Sequence, residues 1–310
     1  MRGGPLRRPL YWLSEHPGAR AFVLHNPVAR RASRRFIAGE TLDEALAVVD
    51  RLAQAGFFTS LNHLGERTAS AADAEAATAG YLAIVERLRA RRPATDCYVS
   101  VKLTQLGLDL DPALASAQLR RILEAAQAAG LFVRVDMEHS RYVDATLALI
   151  EAMRAEGFAA LGAVIQAYLY RSEADVDRLL QRGVPIRLVK GAYLEPPEVA
   201  YPRMADTNAA YRRIMQRLLR DRGYHAIATH DARLVQDAVD QARREGISPD
   251  RFEFQFIYGV GRPLQERLRA EGYRVRVYVP YGTQWYPYFM RRLAERPANL
   301  LFLLRNVLRG

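Results

Sequence analysis

Short apolar runs alternate with longer amphipathic stretches along most of the chain, from residue 57 onward. The runs are rich in β-branched and aromatic residues, which is typical of buried strands, and the stretches between them have helical periodicity. The eight runs are Phe57–Leu64, Cys97–Leu103, Leu131–Asp136, Ala163–Leu169, Pro185–Lys190, His225–Thr229, Phe252–Tyr258 and Arg274–Tyr278. Eight strand-plus-helix units predict a distorted (β/α)8 barrel over residues 56–310, with residues 1–55 as an N-terminal helical arm.

An open doubly wound sheet is the alternative architecture for the same alternation. It is less favoured because no Gly-x-Gly-x-x-Gly motif follows any of the runs, so no Rossmann dinucleotide site is indicated. Three helix starts are marked by capping residues: Thr41 with Glu44, Asp111 before a proline, and Ser172 with Asp175. Each is expected to open a helix of the barrel or of the arm.

Composition narrows the function classes. The chain has 310 residues, 50% of them hydrophobic, a single cysteine and a formal charge of +11. One cysteine excludes a disulfide framework, and no apolar run reaches the roughly 18 residues of a membrane-spanning helix. No export signal is evident, so we expect a cytoplasmic protein. The charge alone would suit nucleic acid or an anionic membrane surface.

Nearly all of the positive charge comes from arginine. Of 45 basic residues only two are lysines, Lys102 and Lys190, and both stand at the ends of predicted strands. An ammonium group is compact and changes its pKa readily in a pocket, which a guanidinium does not. The two lysines therefore mark a predicted pocket, although codon bias alone could also leave two lysines at such positions.

Polar residues also end most of the other predicted strands. In a (β/α)8 barrel those ends surround the active site. The set is Lys102, Asp136, Gln166, Arg187, Lys190, Thr229, His230, Gln255 and Tyr278. Lys102 and Asp136 follow neighbouring strands, so we expect them to form an ion pair at the pocket floor.

A second constellation follows the last predicted strand. Tyr288, Arg291, Arg292 and Glu295 are spaced to share one helical face. Paired guanidinium groups bind the two oxygens of a carboxylate or phosphate. Glu66, after the first strand, is placed to reach one of these arginines across the pocket mouth. No cluster of His, Cys and carboxylate residues suggests a metal.

Together these motifs resemble the proline dehydrogenase family in its short, single-function form. The resemblance runs from about residue 40 to residue 300 and covers eight motifs in order. They are Leu64-Gly-Glu66, Ser100-Val-Lys102-Leu, Val135-Asp136, Arg187-Leu-Val-Lys190-Gly-Ala-Tyr193, Ala228-Thr-His230, Glu253-Phe-Gln255, Tyr278-x-Pro280-x-Gly282 and Tyr288-x-x-Arg291-Arg292-x-x-Glu295. Asp231, where asparagine is common, and Ile257, where leucine is frequent, depart from the family pattern.

The resemblance implies an enzyme that oxidises L-proline to Δ1-pyrroline-5-carboxylate, with hydride passing from proline C5 to N5 of a noncovalently bound FAD. It implies that Arg291 and Arg292 hold the carboxylate and that Glu66 pairs with Arg291 as a gate. The rest of the implied substrate pocket is Lys102, Asp136, Ile257, Tyr278 and Tyr288. The implied flavin shell is Gln166, Arg187 (near N5), Val189, Lys190, Gly191, Ala192, Thr229, His230 and Glu295.

The family's usual electron acceptor is a membrane quinone, which implies peripheral contact with an anionic membrane and no nucleic-acid partner. Two other functions fit parts of the sequence. A barrel lyase or aldolase with a Schiff base on Lys102 or Lys190 would explain the lysines but not the paired arginines. A basic nucleic-acid-binding protein would explain the charge, but the arginines are dispersed among acidic residues.

Overall fold

Eight parallel strands close into a barrel in the computed structural model, which describes residues 34–65, 68–93 and 95–295. Each strand pairs with its neighbours in chain order, and β8 pairs with β1. The strands are β1 (Phe58–His63), β2 (Cys97–Val101), β3 (Val133–Val135), β4 (Leu161–Gln166), β5 (Ile186–Val189), β6 (His225–Ala228), β7 (Phe252–Ile257) and β8 (Arg274–Tyr281). The predicted (β/α)8 barrel is confirmed, and each predicted run contains or overlaps its strand.

Helices separate successive strands, as the alternation predicts. In the described part of the chain the α-helices are α1 (Leu42–Gln54), α2 (Ala71–Arg91), α3 (Pro112–Ala128), α4 (Val143–Ala155), α5 (Ser172–Gln181), α6 (Met204–Arg220), α7 (Ala232–Arg244), α8 (Arg262–Ala270) and α9 (Trp285–Glu295). None of them is long and apolar enough to cross a membrane. Their apolar faces and the strands form one continuous core.

Two of the three predicted caps are confirmed. Thr41 and Glu44 form a reciprocal capping box at α1, and the Asp111 side chain accepts from the backbone N–H of Ala113 at 2.9 Å. The capping box predicted at Ser172 is wrong. The Ser172 hydroxyl donates instead to the carbonyl of Gln166 at 2.6 Å. Ser172 thereby ties the start of α5 to the end of β4, which leaves it no part in an N-cap.

Helix α1 covers the junction where β8 pairs with β1, and helix α9 lies at the rim of the barrel mouth. Helix α1 packs against β8 and β1 on the outside of the barrel, with Leu46 and Val49 fully buried. Helix α9 forms a second, smaller core with residues 36–37 and Leu64. Residues 1–33 lie outside the described part, and the division of the chain at residue 55 stays a prediction.

Candidate active site

A cavity of about 490 Å³ opens at the carboxyl ends of the strands. This volume is in the usual range for a small-molecule or cofactor site. Fourteen of the predicted site residues line it: Lys102, Asp136, Gln166, Arg187, Val189, Lys190, Gly191, Ala192, Thr229, His230, Ile257, Tyr278, Tyr288 and Arg292. The strand-end pattern therefore identified one continuous cavity.

Three predicted site residues cannot be placed in this cavity from the described parts of the chain. Glu66 lies outside the described residues. Arg291 and Glu295 belong to α9, but their side chains are outside the described part. The gate between Glu66 and Arg291 accordingly stays a prediction.

Other lining residues were not singled out from the sequence as site residues. They are Met137, Val164, Tyr193, Met204, Ala228 and Phe256, together with Asp231, which was noted as a departure from the family pattern, and Gln255, which was one of the strand-end polar residues but was given no role. Most of these are apolar or aromatic. Such residues occur throughout the core, so residue type alone does not distinguish a cavity wall from a packed interior.

Asp136 organises the cavity floor. Its Oδ1 accepts from Nη1 of Arg187 at 2.7 Å, and its Oδ2 accepts from the hydroxyl of Tyr278 at 2.8 Å. These three residues come from β5, from β8 and from the end of β3, so the contacts span the barrel mouth. One carboxylate thus fixes a guanidinium and a phenol at defined positions.

The predicted ion pair between Lys102 and Asp136 is wrong. The Lys102 ammonium lies 3.5 Å from Oδ1 of Asn62, on the opposite neighbouring strand, and the Asp136 carboxylate is taken up by Arg187 and Tyr278. Arg187 pairs with Asp136 in place of Lys102 because its long side chain reaches across the barrel interior and presents two nitrogens to the floor. Lys102 still lines the cavity, where its charge remains next to the floor.

Burial and charge keep both Asp136 partners protonated. Burial by itself would lower the pKa of Arg187, but Tyr98 and Asp136 outweigh it and raise that pKa above the usual value. Burial raises the pKa of Tyr278 well above 10.0, and the Asp136 charge raises it further. The floor therefore offers a permanent cation and a neutral hydroxyl across the neutral pH range.

A second ion pair lies on another side of the cavity. The Lys190 ammonium is 2.7 Å from Oδ2 of Asp231, while Oδ1 of Asp231 accepts from the backbone N–H of Arg233 at the start of α7. Burial opposes ionisation of Asp231, but Lys190 outweighs it and lowers the pKa of this carboxyl. The departure from asparagine thus has a structural consequence, which is that the lysine at the end of β5 is held in place by a charge.

His230 is fixed by the backbone of the next strand. Its Nε2 accepts from the N–H of Ile257 at 2.9 Å, and its ring lies edge-on to Phe256. An accepting Nε2 means that the neutral ring carries its proton on Nδ1. The imidazole therefore has one defined orientation at the cavity wall.

Glycine is required at position 191. Its φ is +113°, and a Cβ there would lie 2.2 Å from the ring of Tyr168. Any side chain would clash with that buried ring as well as strain the backbone. The absence of a side chain lets the backbone after β5 pack closely on Tyr168.

The rim helix α9 presents Tyr288 and Arg292 to the cavity. The Arg292 guanidinium carbon lies 5.3 Å from the centre of the Tyr288 ring, a cation–π distance. The helix is anchored from behind, where Phe289 packs on Phe36 and the Trp285 indole donates to Glu40 at 3.1 Å. This anchoring gives the rim residues a defined position relative to the floor.

A closed parallel barrel with a cavity at its carboxyl end defines the chain as a (β/α)8-barrel enzyme, and the cations lining the cavity indicate an anionic ligand. The family model described as "Proline dehydrogenase" matches residues 45–305. The chain belongs to the proline dehydrogenase family, whose members are flavin-dependent oxidoreductases that act on proline.

Individual relatives agree with this assignment. Proline dehydrogenase 1 of Bacillus subtilis subsp. natto is 39% identical over 280 residues, which are 90% of this chain and 92% of that protein. The proline dehydrogenase of Deinococcus radiodurans is 41% identical over 284 residues, covering 90% of each. The crystal structure of proline utilization A (PutA) from Bdellovibrio bacteriovorus inactivated by N-propargylglycine has a TM-score of 0.80 at 28% identity, covering 89% of this chain and 33% of that one. These similarities favour proline oxidation over the lyase and nucleic-acid alternatives.

The donor set of the cavity fits a flavin. Arg187 is 4% exposed, and its Nε has no hydrogen-bond partner among the described residues, so one buried donor remains for a ligand. Val189 and Gly191 line the same cavity. A heterocycle with ring nitrogen and oxygen acceptors can accept a hydrogen bond from this donor. In the described part of the chain, no three His, Cys, Asp or Glu side chains converge as a metal site.

Proposed function

We propose that this protein oxidises L-proline to Δ1-pyrroline-5-carboxylate with a noncovalently bound FAD. The observation that carries the proposal is the pairing of Arg187 with Asp136 and Tyr278 at the floor of the cavity that also receives Arg292. When bound, the flavin supplies the acceptor for a hydride from proline C5. The residues of the chain have to orient the substrate, exclude water and stabilise charge.

The rim arginines are proposed to bind the substrate carboxylate. Arg292 lines the cavity beside Tyr288, and Arg291 precedes it on α9. Two guanidinium groups on one carboxylate fix both its position and its plane, which sets the opposite edge of the ring toward the floor. Glu66 is proposed to close this end by pairing with Arg291.

The floor residues are proposed to act on the reacting edge. Arg187 provides a fixed positive charge that stabilises negative charge developing on a reduced cofactor, because it stays protonated in the buried floor. Lys102, Asp136, Ile257, Tyr278 and Tyr288 are proposed to enclose the proline ring. The substrate amine loses its proton more easily near the cations Arg187 and Lys102 than in water. The neutral amine in turn favours hydride loss from the adjacent carbon.

The flavin is proposed to lie along β4, β5 and β6. The proposed contacts are Gln166, Arg187, Val189, Lys190, Gly191, Ala192, Thr229, His230 and Glu295. Support comes from the cavity that eight of these residues line together. We expect acid precipitation of the purified protein to release all of its flavin into the supernatant, where chromatography identifies FAD. Flavin that stays with the pellet would contradict noncovalent binding, and FMN in the supernatant would contradict the assignment of FAD as the cofactor.

The proposed electron acceptor is a quinone at an anionic membrane surface. The exposed large hydrophobic side chains of the described part are Leu110, Tyr170, Leu194, Val199 and Met204. Each follows the carboxyl end of a strand, so all lie at the cavity end of the barrel, and Met204 lines the cavity itself. Apolar side chains on a protein of net charge +11 suit an anionic bilayer.

Vesicle sedimentation tests this contact. The purified protein should sediment with vesicles rich in anionic lipid and less with purely zwitterionic ones. The double variant Leu194→Ser with Val199→Ser should sediment less than the wild type while keeping proline oxidation with a soluble dye. Equal sedimentation of variant and wild type would contradict docking through this end of the barrel.

A further inference from the structure

Tyr98 lies inside the barrel directly beneath the cavity floor. It belongs to β2 and is 2% exposed. Its hydroxyl oxygen accepts hydrogen bonds from two N–H groups. Nη2 of Arg187 lies 3.1 Å from it, and Nε2 of Gln255 lies 2.7 Å from it. The three residues come from β2, β5 and β7, so their contact is possible only in the barrel interior.

The orientation of the Gln255 amide is set by its other neighbour. The same Nε2 donates to the carboxylate of Glu253, which can only accept. Turning the amide over would bring its carbonyl oxygen against that carboxylate. Both contacts of Tyr98 therefore use lone pairs on its oxygen, and among the described residues none accepts a proton from this hydroxyl.

Three buried guanidinium groups surround the same ring. Their central carbons lie 4.1 Å (Arg276), 5.6 Å (Arg134) and 6.0 Å (Arg187) from its centre. Arg276 pairs with both Glu253 and Asp96, and Arg187 pairs with Asp136.

Arg134 is the exception among the three. It is 2% exposed and donates to the carbonyls of Ala163 and Pro185, and within the described residues it forms no ion pair. A buried cation without an anion is costly. The aromatic rings beside its guanidinium carbon are those of Phe132 at 4.8 Å and Tyr98 at 5.6 Å.

We propose that Tyr98 is a phenolate in the folded protein at neutral pH and that it is a positioning residue for Arg187. The phenolate accepts from Arg187 and Gln255 with its lone pairs and supplies the negative charge that Arg134 otherwise lacks. Strand β2 carries no carboxylate, and Asp96, just before it, pairs with Arg276. This role rests on the proposed function, because Arg187 is the floor cation of that site.

Electrostatics agrees with this geometry. Burial would raise the pKa of the Tyr98 phenol, and the Glu253 charge also opposes ionisation. The charges of Arg187, Arg134 and Arg276 outweigh both and hold that pKa below 10.0. Tyr81 is also fully buried, and its pKa is raised well above 10.0 by that burial and by the nearby charges of Asp136 and Glu138. The difference between the two tyrosines lies in their neighbours and not in their burial.

The consequence for the floor is a fixed guanidinium. Arg187 is held by Asp136 from one side at 2.7 Å, and from below by the oxygens of Tyr98 at 3.1 Å and Ser100 at 3.0 Å. An ionised acceptor makes the lower contact stronger and more directional than a neutral hydroxyl does. The Arg187 Nε is left without a hydrogen-bond partner among the described residues.

Carbon-13 NMR of the holoenzyme, labelled at Cζ of tyrosine, tests the ionisation state. The chain has 16 tyrosines. At neutral pH one Cζ resonance should lie at the tyrosinate position, and it should be lost in Tyr98→Phe and kept in Tyr81→Phe. Tyr81 is the matched control because its hydroxyl donates to Gln105 at 2.8 Å as a neutral phenol. The wild-type spectrum carries the test even if Tyr98→Phe does not fold.

Kinetics tests the positioning role. Tyr98→Phe should lower kcat for L-proline about ten-fold, the effect expected for losing a charged hydrogen bond, whereas Tyr81→Phe should not change it. Sixteen resonances at the neutral position, or a tyrosinate resonance that persists in Tyr98→Phe, would overturn the phenolate. An unchanged kcat in Tyr98→Phe would overturn the positioning role. The NMR result does not depend on proline, so a protein with this phenolate but no proline oxidation would contradict only the proposed function.

Discussion

Replacing Asp136 tests the cavity floor most sharply. Its two oxygens hold Arg187 at 2.7 Å and Tyr278 at 2.8 Å. In Asp136→Asn an amide oxygen can still accept from Arg187, but the hydrogen bond loses its second charge. A hydrogen bond to a charged group contributes about 1.5–3 kcal/mol and a neutral one about 1 kcal/mol, so the loss is roughly 0.5–2 kcal/mol.

Asp136→Ala is the more severe change. It leaves the Arg187 guanidinium, whose side chain is 5% exposed, with no carboxylate in the floor. Breaking a buried pair on one side costs about 3–5 kcal/mol, and here the cost should lie at the lower end because Tyr98 and Ser100 still accept from Arg187. The displaced guanidinium no longer faces the reacting edge. We therefore expect flavin reduction by L-proline to slow about ten-fold in the Asn variant and roughly a hundred-fold or more in the Ala variant.

Stopped-flow flavin reduction under anaerobic conditions measures these rates directly. Asp175→Asn is the matched control, because Asp175 is also a buried carboxylate paired with an arginine, Arg171 at 2.7 Å, but lies on α5 away from the cavity. It should lose stability without slowing flavin reduction. Asp136→Asn reducing its flavin as fast as Asp175→Asn would refute the assignment of Asp136 to the reacting floor.

Three further changes probe the rim, the wall and the pH response. Arg292→Met should lower kcat/KM for L-proline about ten- to hundred-fold, mainly through KM in steady-state assays, and an unchanged KM would exclude carboxylate binding there. Gly191→Ala should lower the melting temperature more than Gly183→Ala, since a Cβ meets the Tyr168 ring at 2.2 Å at the first site and nothing within 4 Å at the second; equal shifts would argue against the clash. Burial lowers the pKa of His225 below 6.5, so the unfolded chain takes up the proton more readily and stability falls as pH drops through that value. His225→Asn should flatten this fall in denaturant titrations from pH 7 to 5, and an unaltered slope would contradict it.

Strand positions were predictable because burial on both faces gives parallel strands a strong apolar pattern. Side-chain partners were not predictable to the same degree. Lys102 and Asp136 do follow neighbouring strands, yet Arg187, three strands along the barrel from Lys102, reaches Asp136 first. Sequence spacing reports which strand carries a residue, but not how far a long side chain extends across the interior.

The buried network below the floor did have a signal in the sequence. Tyr98 and Ser100, Arg134 and Asp136, Glu253 and Gln255, and Arg276 and Tyr278 alternate with or flank apolar residues two positions apart. This period-two pattern places polar side chains inside a barrel that would ordinarily be filled by Val, Ile and Leu. The polar residues at the strand ends alone do not reveal this lower layer. The Ser172 cap failed for a different reason, because a tertiary hydrogen bond to Gln166 competed with the local one.

An anaerobic absorbance spectrum of the purified protein, recorded before and after adding L-proline, tests the central claim most directly. The protein should show a flavin spectrum that bleaches on adding L-proline. The flavin should remain reduced without an acceptor, and its oxidised spectrum should return when a soluble quinone is added. A flavin spectrum left unchanged by saturating L-proline would contradict the account.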